Sequence, residues 1–238
     1  MDRRQQSGFT LIEIAIVLVI IGLLLGGILK GQELITSARV RNMADQGNGV
    51  QAAYYGFVDR FRNLPGDWQL AAAQQAIPGV LSGGDGDGRI DGTGWEEPPV
   101  VWEHLQRAGF IGGFFQATGE EPILDTDAPR NAFNGFIMLS HSANYQGLPT
   151  QAPTVRLNLN LGQNVPVGVI RELDVKVDDG RPMTGAFRAA LSVATQPPGA
   201  PIAEPNCISA GGGGGGGGMA PEWNIVGDSQ NCAGVLLY

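Results

Sequence analysis

The sequence predicts an α+β protein in which a long N-terminal helix, apolar in its first half and amphipathic in its second, packs on a C-terminal globular domain with an antiparallel sheet. Three observations support this fold class. Residues 9–29 form an apolar run with one charged residue, Glu13. Apolar residues then recur at three- and four-residue steps as far as Phe61, which is typical of an amphipathic helix. Beyond a turn at 63–67, short helical and strand-like segments follow.

The apolar run is long enough to cross a bilayer. Its 21 residues would form a helix of about 31 Å, which matches the hydrocarbon core of a membrane. The run is too long for the apolar region of an ordinary secretory signal, and no convincing small-residue cleavage site follows it. The preceding residues 1–8 carry Arg3 and Arg4, so the positive-inside rule keeps this leader in the cytoplasm. We therefore expect a membrane anchor.

The same N-terminus resembles a known family. A basic leader, Gly8, Phe9 and then "FTLIEIAIVLVIIGLLLG" are similar to the class III signal of the type IV pilin superfamily, which includes type IV pilins and type II secretion pseudopilins. The resemblance implies that prepilin peptidase cuts between Gly8 and Phe9 and that the new amino group of Phe9 is methylated. It also implies a periplasmic head anchored in the inner membrane, which later joins a pilus or pseudopilus at the cell surface or in the periplasm. The implied partners are other copies of the chain, related pilin-like subunits, the peptidase and an inner-membrane assembly platform.

Glu13 has a physical explanation under this resemblance. A carboxylate in hydrocarbon costs about 2.5–3.5 kcal/mol, so a functional role is the default expectation. We expect Glu13 to pair with the ammonium group of Phe9 on the neighbouring subunit, which would neutralise both charges and set the axial register. The alternative is a glutamate that reaches the headgroups from a depth of about one helical turn.

These observations divide the chain into four parts. They are a cleaved leader (1–8), a transmembrane and filament-core helix (9–29), an amphipathic continuation (30–64) and a globular α+β head (65–238). Two glycines within "DQGNG" at 45–49 weaken the helix, so an anchor followed by a separate helix is the alternative.

Further elements are predicted in the head. Asp67 is predicted to N-cap a short helix that ends at Ala76. A second helix is predicted from "EEPPVVWEHLQRAG", with prolines in its first turn and Gly109 as its stop. Strands are predicted within 135–140, 154–162 and 185–192.

The stretch "GGDGDGRIDGTGWEE" at 83–97 is the most site-like part of the head. Oxygen ligands for calcium are predicted at loop positions one, three, five, seven and twelve: Asp85, Asp87, the Arg89 carbonyl, Asp91 and Glu96. Such crowded carboxylates repel one another unless a cation lies between them. The loop departs from the EF-hand pattern at Arg89 and Ile90, and a solvated acidic turn is the alternative. The resemblance adds that related pseudopilins hold a structural calcium ion in a comparable loop.

A second acidic group, formed by Asp174, Asp178 and Asp179, is interpreted as a turn. Cys207 and Cys232 are the only cysteines and, with an export signal, predict one disulfide rather than two free thiols. The polyglycine at 211–218 lies between them and is interpreted as a flexible surface loop.

The composition narrows the function. The net charge of −8 and the pI of about 4.7 argue against nucleic acid as a partner, and hence against a DNA-uptake pilin. No acid–base pair or nucleophile motif is visible, so we expect no enzyme. The leading hypothesis is a polymerising pilin-like subunit. The runner-up is a membrane-anchored binding module that never polymerises, which would need neither Glu13 nor the junction between Gly8 and Phe9.

Overall fold

The computed structural model describes residues 11–91, 95–148, 151–191, 205–209 and 221–238. The chain divides into two compact units, Met1–Arg39 and Val40–Tyr238. The predicted cleavage junction of Gly8 and Phe9 and the polyglycine at 211–218 lie outside the described residues.

Four α-helices lie in the described parts of the chain: α1 (Leu11–Phe61), α2 (Leu70–Ala76), α3 (Pro98–Arg107) and α4 (Val167–Val177). The strands are β1 (Met138–Ser142), β2 (Arg156–Asn160), β3 (Phe187–Ala189), β4 (Ile208–Ser209), β5 (Glu222–Trp223) and β6 (Gly234–Leu237). Two short 3-10 helices complete the list, at Pro205–Cys207 and Ile225–Gly227.

The main sheet has four antiparallel strands in the order β1-β2-β6-β3. Leu159 of β2 lies opposite Leu139 of β1 on one side and Leu236 of β6 on the other. The C-terminal strand β6 therefore lies inside the sheet, between β2 and β3. A separate two-stranded ribbon joins β4 and β5.

In the second unit, α1 contributes fully buried Val40, Met43 and Phe57 to the core. Gly47 explains how closely this helix approaches the sheet, because a Cβ atom there would lie 2.8 Å from Cδ1 of Leu236. The Gly47 carbonyl also accepts a hydrogen bond from the Tyr238 hydroxyl at 3.4 Å. The glycine that weakens the helix in isolation thus lies where the helix packs closely on strand β6.

The structure confirms the predicted α+β fold class. Helix α1 has no break at residues 45–49, so the alternative of two separate helices is not what the structure shows. Helix α3 starts at two prolines, and Gly109 follows its C-cap residue with a left-handed φ of +82°, as predicted. The predicted cap of α2 is wrong, since Gln69, not Asp67, precedes its first residue.

Candidate functional site

The N-terminal unit exposes its apolar side chains. Leu11 is 93% exposed and Leu23 is 73% exposed. Helix α1 is long and apolar enough to cross a membrane: an 18-residue window has a mean hydropathy of 2.9, and none of it is buried. Soluble proteins rarely expose contiguous apolar surface on this scale, so the segment is suited to a bilayer or to packing against other apolar helices.

Glu13 interrupts this apolar surface and lies in the first turn of α1 as described. Glu13 is exposed, and the helix dipole favours a carboxylate at a helix N-terminus. The predicted partner, the amino group of Phe9 on another copy, lies outside the described residues, as does Gly8. The cleavage junction and the pairing of Glu13 with Phe9 therefore remain predictions.

The second unit contains the acidic loop at residues 83–91. Asp67, in the turn between α1 and α2, is only 5% exposed. Its two carboxylate oxygens accept the N–H groups of Gly86 at 2.8 Å and Gly88 at 3.0 Å. Burial raises the pKa of Asp67, and the hydrogen bonds from the two glycines oppose that rise. Asp67 thus holds the loop instead of capping a helix.

Glu97 holds the same loop from its other side. It immediately precedes α3 and is 4% exposed. One carboxylate oxygen accepts the N–H of Asp85 at 3.0 Å, and the other accepts the N–H of Asp91 at 2.9 Å. Burial raises the pKa of Glu97, and the nearby charges of Asp67 and Asp85 raise it further. The loop backbone is therefore anchored by two buried carboxylates.

Both histidines of the chain also form hydrogen bonds with the backbone in and around this loop. His104 accepts the N–H of Gly66 at Nδ1 (3.1 Å), so its Nε2 donates to the Ser82 carbonyl at 2.9 Å. His141 accepts the N–H of Ile90 at Nδ1, at 2.8 Å. Burial lowers the pKa of both imidazoles, and the accepted hydrogen bonds require an unprotonated Nδ1.

Glu103 is a further polar residue of this frame, and the sequence analysis missed it. It is fully buried on α3 and accepts the N–H groups of Leu81 at 2.6 Å and Ala117 at 3.3 Å. The one available signal was an acidic residue beside Trp102 on an otherwise apolar helix face. The buried carboxylates and imidazoles of this region thus organise loops and are hydrogen-bonded within the chain, whereas the buried indole N–H of Trp102 has no partner among the described residues.

Of the predicted calcium ligands, only Asp85 belongs to the group of carboxylates that the described residues bring together. Carboxylate oxygens of Asp67, Asp85 and Glu97 lie within 4.8 Å of one another. Asp87 and Asp91 are not members of this group, and the exposed Glu96 is also outside it, next to Glu97. The N–H of Arg89 donates to Asp87 at 2.9 Å. Sequence spacing therefore missed Asp67 and Glu97.

The second acidic group consists of residues that organise the turn after α4. Asp174 is fully buried and accepts the N–H of Gly180 at 3.1 Å and the indole N–H of Trp223 at 2.7 Å. Asp178 accepts the N–H of Phe187 at 2.9 Å, and so joins the turn to β3. Burial raises the pKa of Asp174 to about 6.

The predicted disulfide is present. Cys207 and Cys232 are joined at an S–S distance of 2.09 Å, and both are buried. Cys232 also exchanges two backbone hydrogen bonds with Val165, at 3.2 and 2.8 Å, which places the disulfide beside the start of α4.

The comparisons with known proteins concern the N-terminus. The family model described as the prokaryotic N-terminal methylation motif matches residues 3–29. The comparisons with curated proteins and with solved structures gave no significant match. The chain is therefore an α+β protein that carries a prokaryotic N-terminal methylation motif. Its resemblance to the type IV pilin-like proteins is confirmed over this segment, which includes the basic leader, the predicted junction and the apolar run. Motif and apolar helix together indicate membrane anchoring.

Proposed function

We propose that the protein is a structural pilin-like subunit that is cut by prepilin peptidase and polymerises through its N-terminal helix into a type IV pilus or a type II secretion pseudopilus. The observation that carries the proposal is the N-terminal methylation motif at residues 3–29. The exposed apolar side chains of the same segment support it. Before assembly the protein is anchored in the inner membrane with its head in the periplasm. Its partners are further copies and related subunits, together with the peptidase and the assembly platform.

Cleavage between Gly8 and Phe9 prepares the subunit for assembly. It removes Asp2, Arg3 and Arg4, so the net charge changes from −8 to −9. It also creates an amino group on Phe9, which keeps its positive charge when methylated. That group pairs with Glu13 of the adjacent subunit, while the apolar side chains pack laterally. The pair removes the cost of placing either charge alone in hydrocarbon, which makes one register favourable.

The proposed pairing is tested by replacing each of two glutamates on α1 in turn. Glu13→Ala is expected to be processed and retained in the membrane but absent from the filament fraction. The control is Glu33→Ala, because Glu33 is exposed and forms only a local ion pair with Lys30 at 2.7 Å. Filament content is measured by shearing or pelleting, followed by immunoblotting. Wild-type assembly of Glu13→Ala would contradict the pairing, and a wild-type protein that never enters filaments would favour the membrane-anchored binding module.

We further propose that the acidic loop binds a structural calcium ion. The donor set fits, because Asp67, Asp85 and Glu97 offer hard carboxylate oxygens within 4.8 Å of one another. Two of these carboxyls are buried, and their pKa values are raised by burial and by neighbouring acids, a cost that a cation would relieve. Asp87, Asp91 and Glu96 lie outside this group, so the proposed ion is held by the carboxylates of Asp67, Asp85 and Glu97. The ion would fasten the loop to the start of α3.

Melting in calcium and in chelator tests this second proposal. Calcium at roughly 100 times its Kd should stabilise the protein by about 2.7 kcal/mol, and magnesium should do so less effectively. Asp85→Asn should remove the calcium response. Asp228→Asn is the control, since Asp228 is exposed and lies outside both groups of clustered carboxylates. A melting temperature unchanged by chelator would overturn the calcium site.

A further inference from the structure

A cavity of about 490 Å³ lies in the second unit. It is formed where the end of α1, the turn that follows, the first turn of α2 and the acidic loop meet. Its volume is within the range of small-molecule sites, and most of its wall is polar. The lining residues that bear on ligand binding are Arg62, Asn63, Asp67, Trp68 and Gln69.

Two amide side chains in the wall are oriented by the protein. Asn63 donates through Nδ2 to the Phe61 carbonyl at 2.9 Å, and Gln69 donates through Nε2 to the Asp85 carbonyl at 2.9 Å. Within the described part of the chain, no protein donor binds Oδ1 of Asn63 or Oε1 of Gln69. Each amide is therefore held by its donor end, and its acceptor oxygen is available to a ligand.

Arg62 supplies donors at the same cavity. It follows α1 with a left-handed φ of +56°, and its N–H still bonds the Val58 carbonyl at 2.8 Å. Glycine is the residue favoured at such a position, so the arginine is kept there against the local backbone preference. One guanidinium nitrogen pairs with Asp59 at 3.2 Å, and the side chain is 80% exposed. The remaining guanidinium N–H groups are donors available to a ligand.

Trp68 gives the cavity an aromatic surface. It is half-buried, and its ring packs against Phe57 and Phe61 at centroid distances of 6.2 and 5.7 Å. These contacts hold the indole in place while part of it lines the cavity. The negative face of such a ring attracts the weakly positive C–H groups of a pyranose.

Other ligand classes fit this wall less well. An apolar ligand would leave the two amide oxygens and the guanidinium without partners, which costs affinity. An anion would meet the buried Asp67 carboxyl and a single, already paired arginine. A cation in this cavity would be repelled by the guanidinium group of Arg62. Hydroxyl groups, which donate and accept, match the mixture of acceptors and donors.

We propose that this cavity binds a neutral saccharide of one or two pyranose units, with its C–H face on Trp68 and its hydroxyls on Arg62, Asn63 and Gln69. The site goes beyond the filament role and does not depend on it. A protein that fails to polymerise could still bind sugar, and the converse also holds.

Saturation-transfer NMR on the full-length chain tests the proposal, in a detergent that contains no sugar. The probes are neutral hexoses, N-acetylhexosamines and their disaccharides, while inorganic phosphate and calcium, which have no carbon-bound protons, are titrated against the tryptophan fluorescence of the protein. Arg62→Gly is the main variant, because glycine suits the left-handed backbone and the fold should be kept. It should weaken saccharide binding about tenfold without lowering the melting temperature, which corresponds to one charged hydrogen bond. Trp68→Ala should abolish binding.

The matched control is Arg60→Ala, since Arg60 is the neighbouring arginine on α1 and does not line the cavity. It should bind saccharide like the wild type. The proposal is overturned if no neutral saccharide binds at millimolar concentration, or if only phosphate or calcium perturbs the cavity residues. It is also overturned if Arg62→Gly binds with wild-type affinity.

Discussion

Leu24 and Leu105 are leucines in opposite environments. Leu24, in the first unit, is 60% exposed, whereas Leu105, in the second, is fully buried. The polar groups differ in the same way: Glu103 lies in the core and receives two backbone N–H groups, whereas the charge proposed for Glu13 comes from another copy. The comparison teaches that the second unit packs an apolar core within the chain, while the apolar side chains of the first lie exposed and are suited to a bilayer or to other apolar helices.

The largest expected effect on the free energy of unfolding comes from replacing each of these two leucines by alanine. Leu105→Ala should lower the free energy of unfolding of the head by about 2–5 kcal/mol, because it removes buried methyl groups and leaves a cavity. Leu24→Ala should change it by less than about 0.5 kcal/mol. Urea unfolding of the detergent-solubilised protein, followed by tryptophan fluorescence, measures both. Equal effects at the two leucines would contradict the contrast.

The disulfide allows the two units to be tested separately, because both of its cysteines belong to the second unit. Replacing Cys207 and Cys232 together by alanine should lower the free energy of unfolding by roughly 3–4 kcal/mol, because the bond closes a separation of 25 residues. Membrane retention, a property of the first unit, should not change. Urea unfolding and membrane fractionation measure the two properties. An unchanged unfolding midpoint, with reductant as a second control, would show that the bond does not stabilise the head.

Asp174 tests the polar interior of the second unit through the pH dependence of stability. Burial raises its pKa to about 6 from 3.8, so the folded state binds more protons than the unfolded state between these values. Stability contributed by this group therefore falls as pH rises from about 4 to 6, with a slope of at most about 1.4 kcal/mol per pH unit. Asp174→Asn should remove that slope. Unfolding curves across this pH range provide the comparison, with Asp228→Asn as the control, because Asp228 is exposed and does not contribute to the pKa shift of Asp174. Identical slopes in wild type and Asp174→Asn would disprove the assignment.

The helical spacing of apolar residues, together with prolines and glycines at helix ends, predicted the elements that depend on local sequence. The apolar run and the three- and four-residue steps predicted helix α1, and the proline start and Gly109 stop predicted α3. Strand β6 was missed, because four residues show little alternation and its place inside the sheet depends on β2 and β3. Its short apolar run, after Cys232, was the only local signal.

The candidate site in the head was predicted in part for a similar reason. The loop itself is local and Asp85 was identified, but Asp67 lies well before the loop and reaches it only after the chain turns. Spacing selected Glu96, at position twelve of the loop, whereas the structure brings its neighbour Glu97 to the group. The start of α3 determines which of the two carboxylates points at the loop backbone, and Glu97 does so. The N-terminal motif, in contrast, is continuous in sequence and matches a family model directly.

The central claim is that the chain is processed at its motif and assembled through the segment that remains. Mass spectrometry of the N-terminal peptide, taken from the membrane and filament fractions of the producing cells, tests it most directly. We predict a peptide in the filament fraction that begins with N-methylated Phe9 and lacks residues 1–8. A filament-fraction protein that begins at Met1, or one cut beyond residue 29 so that the apolar segment is lost, would contradict the account.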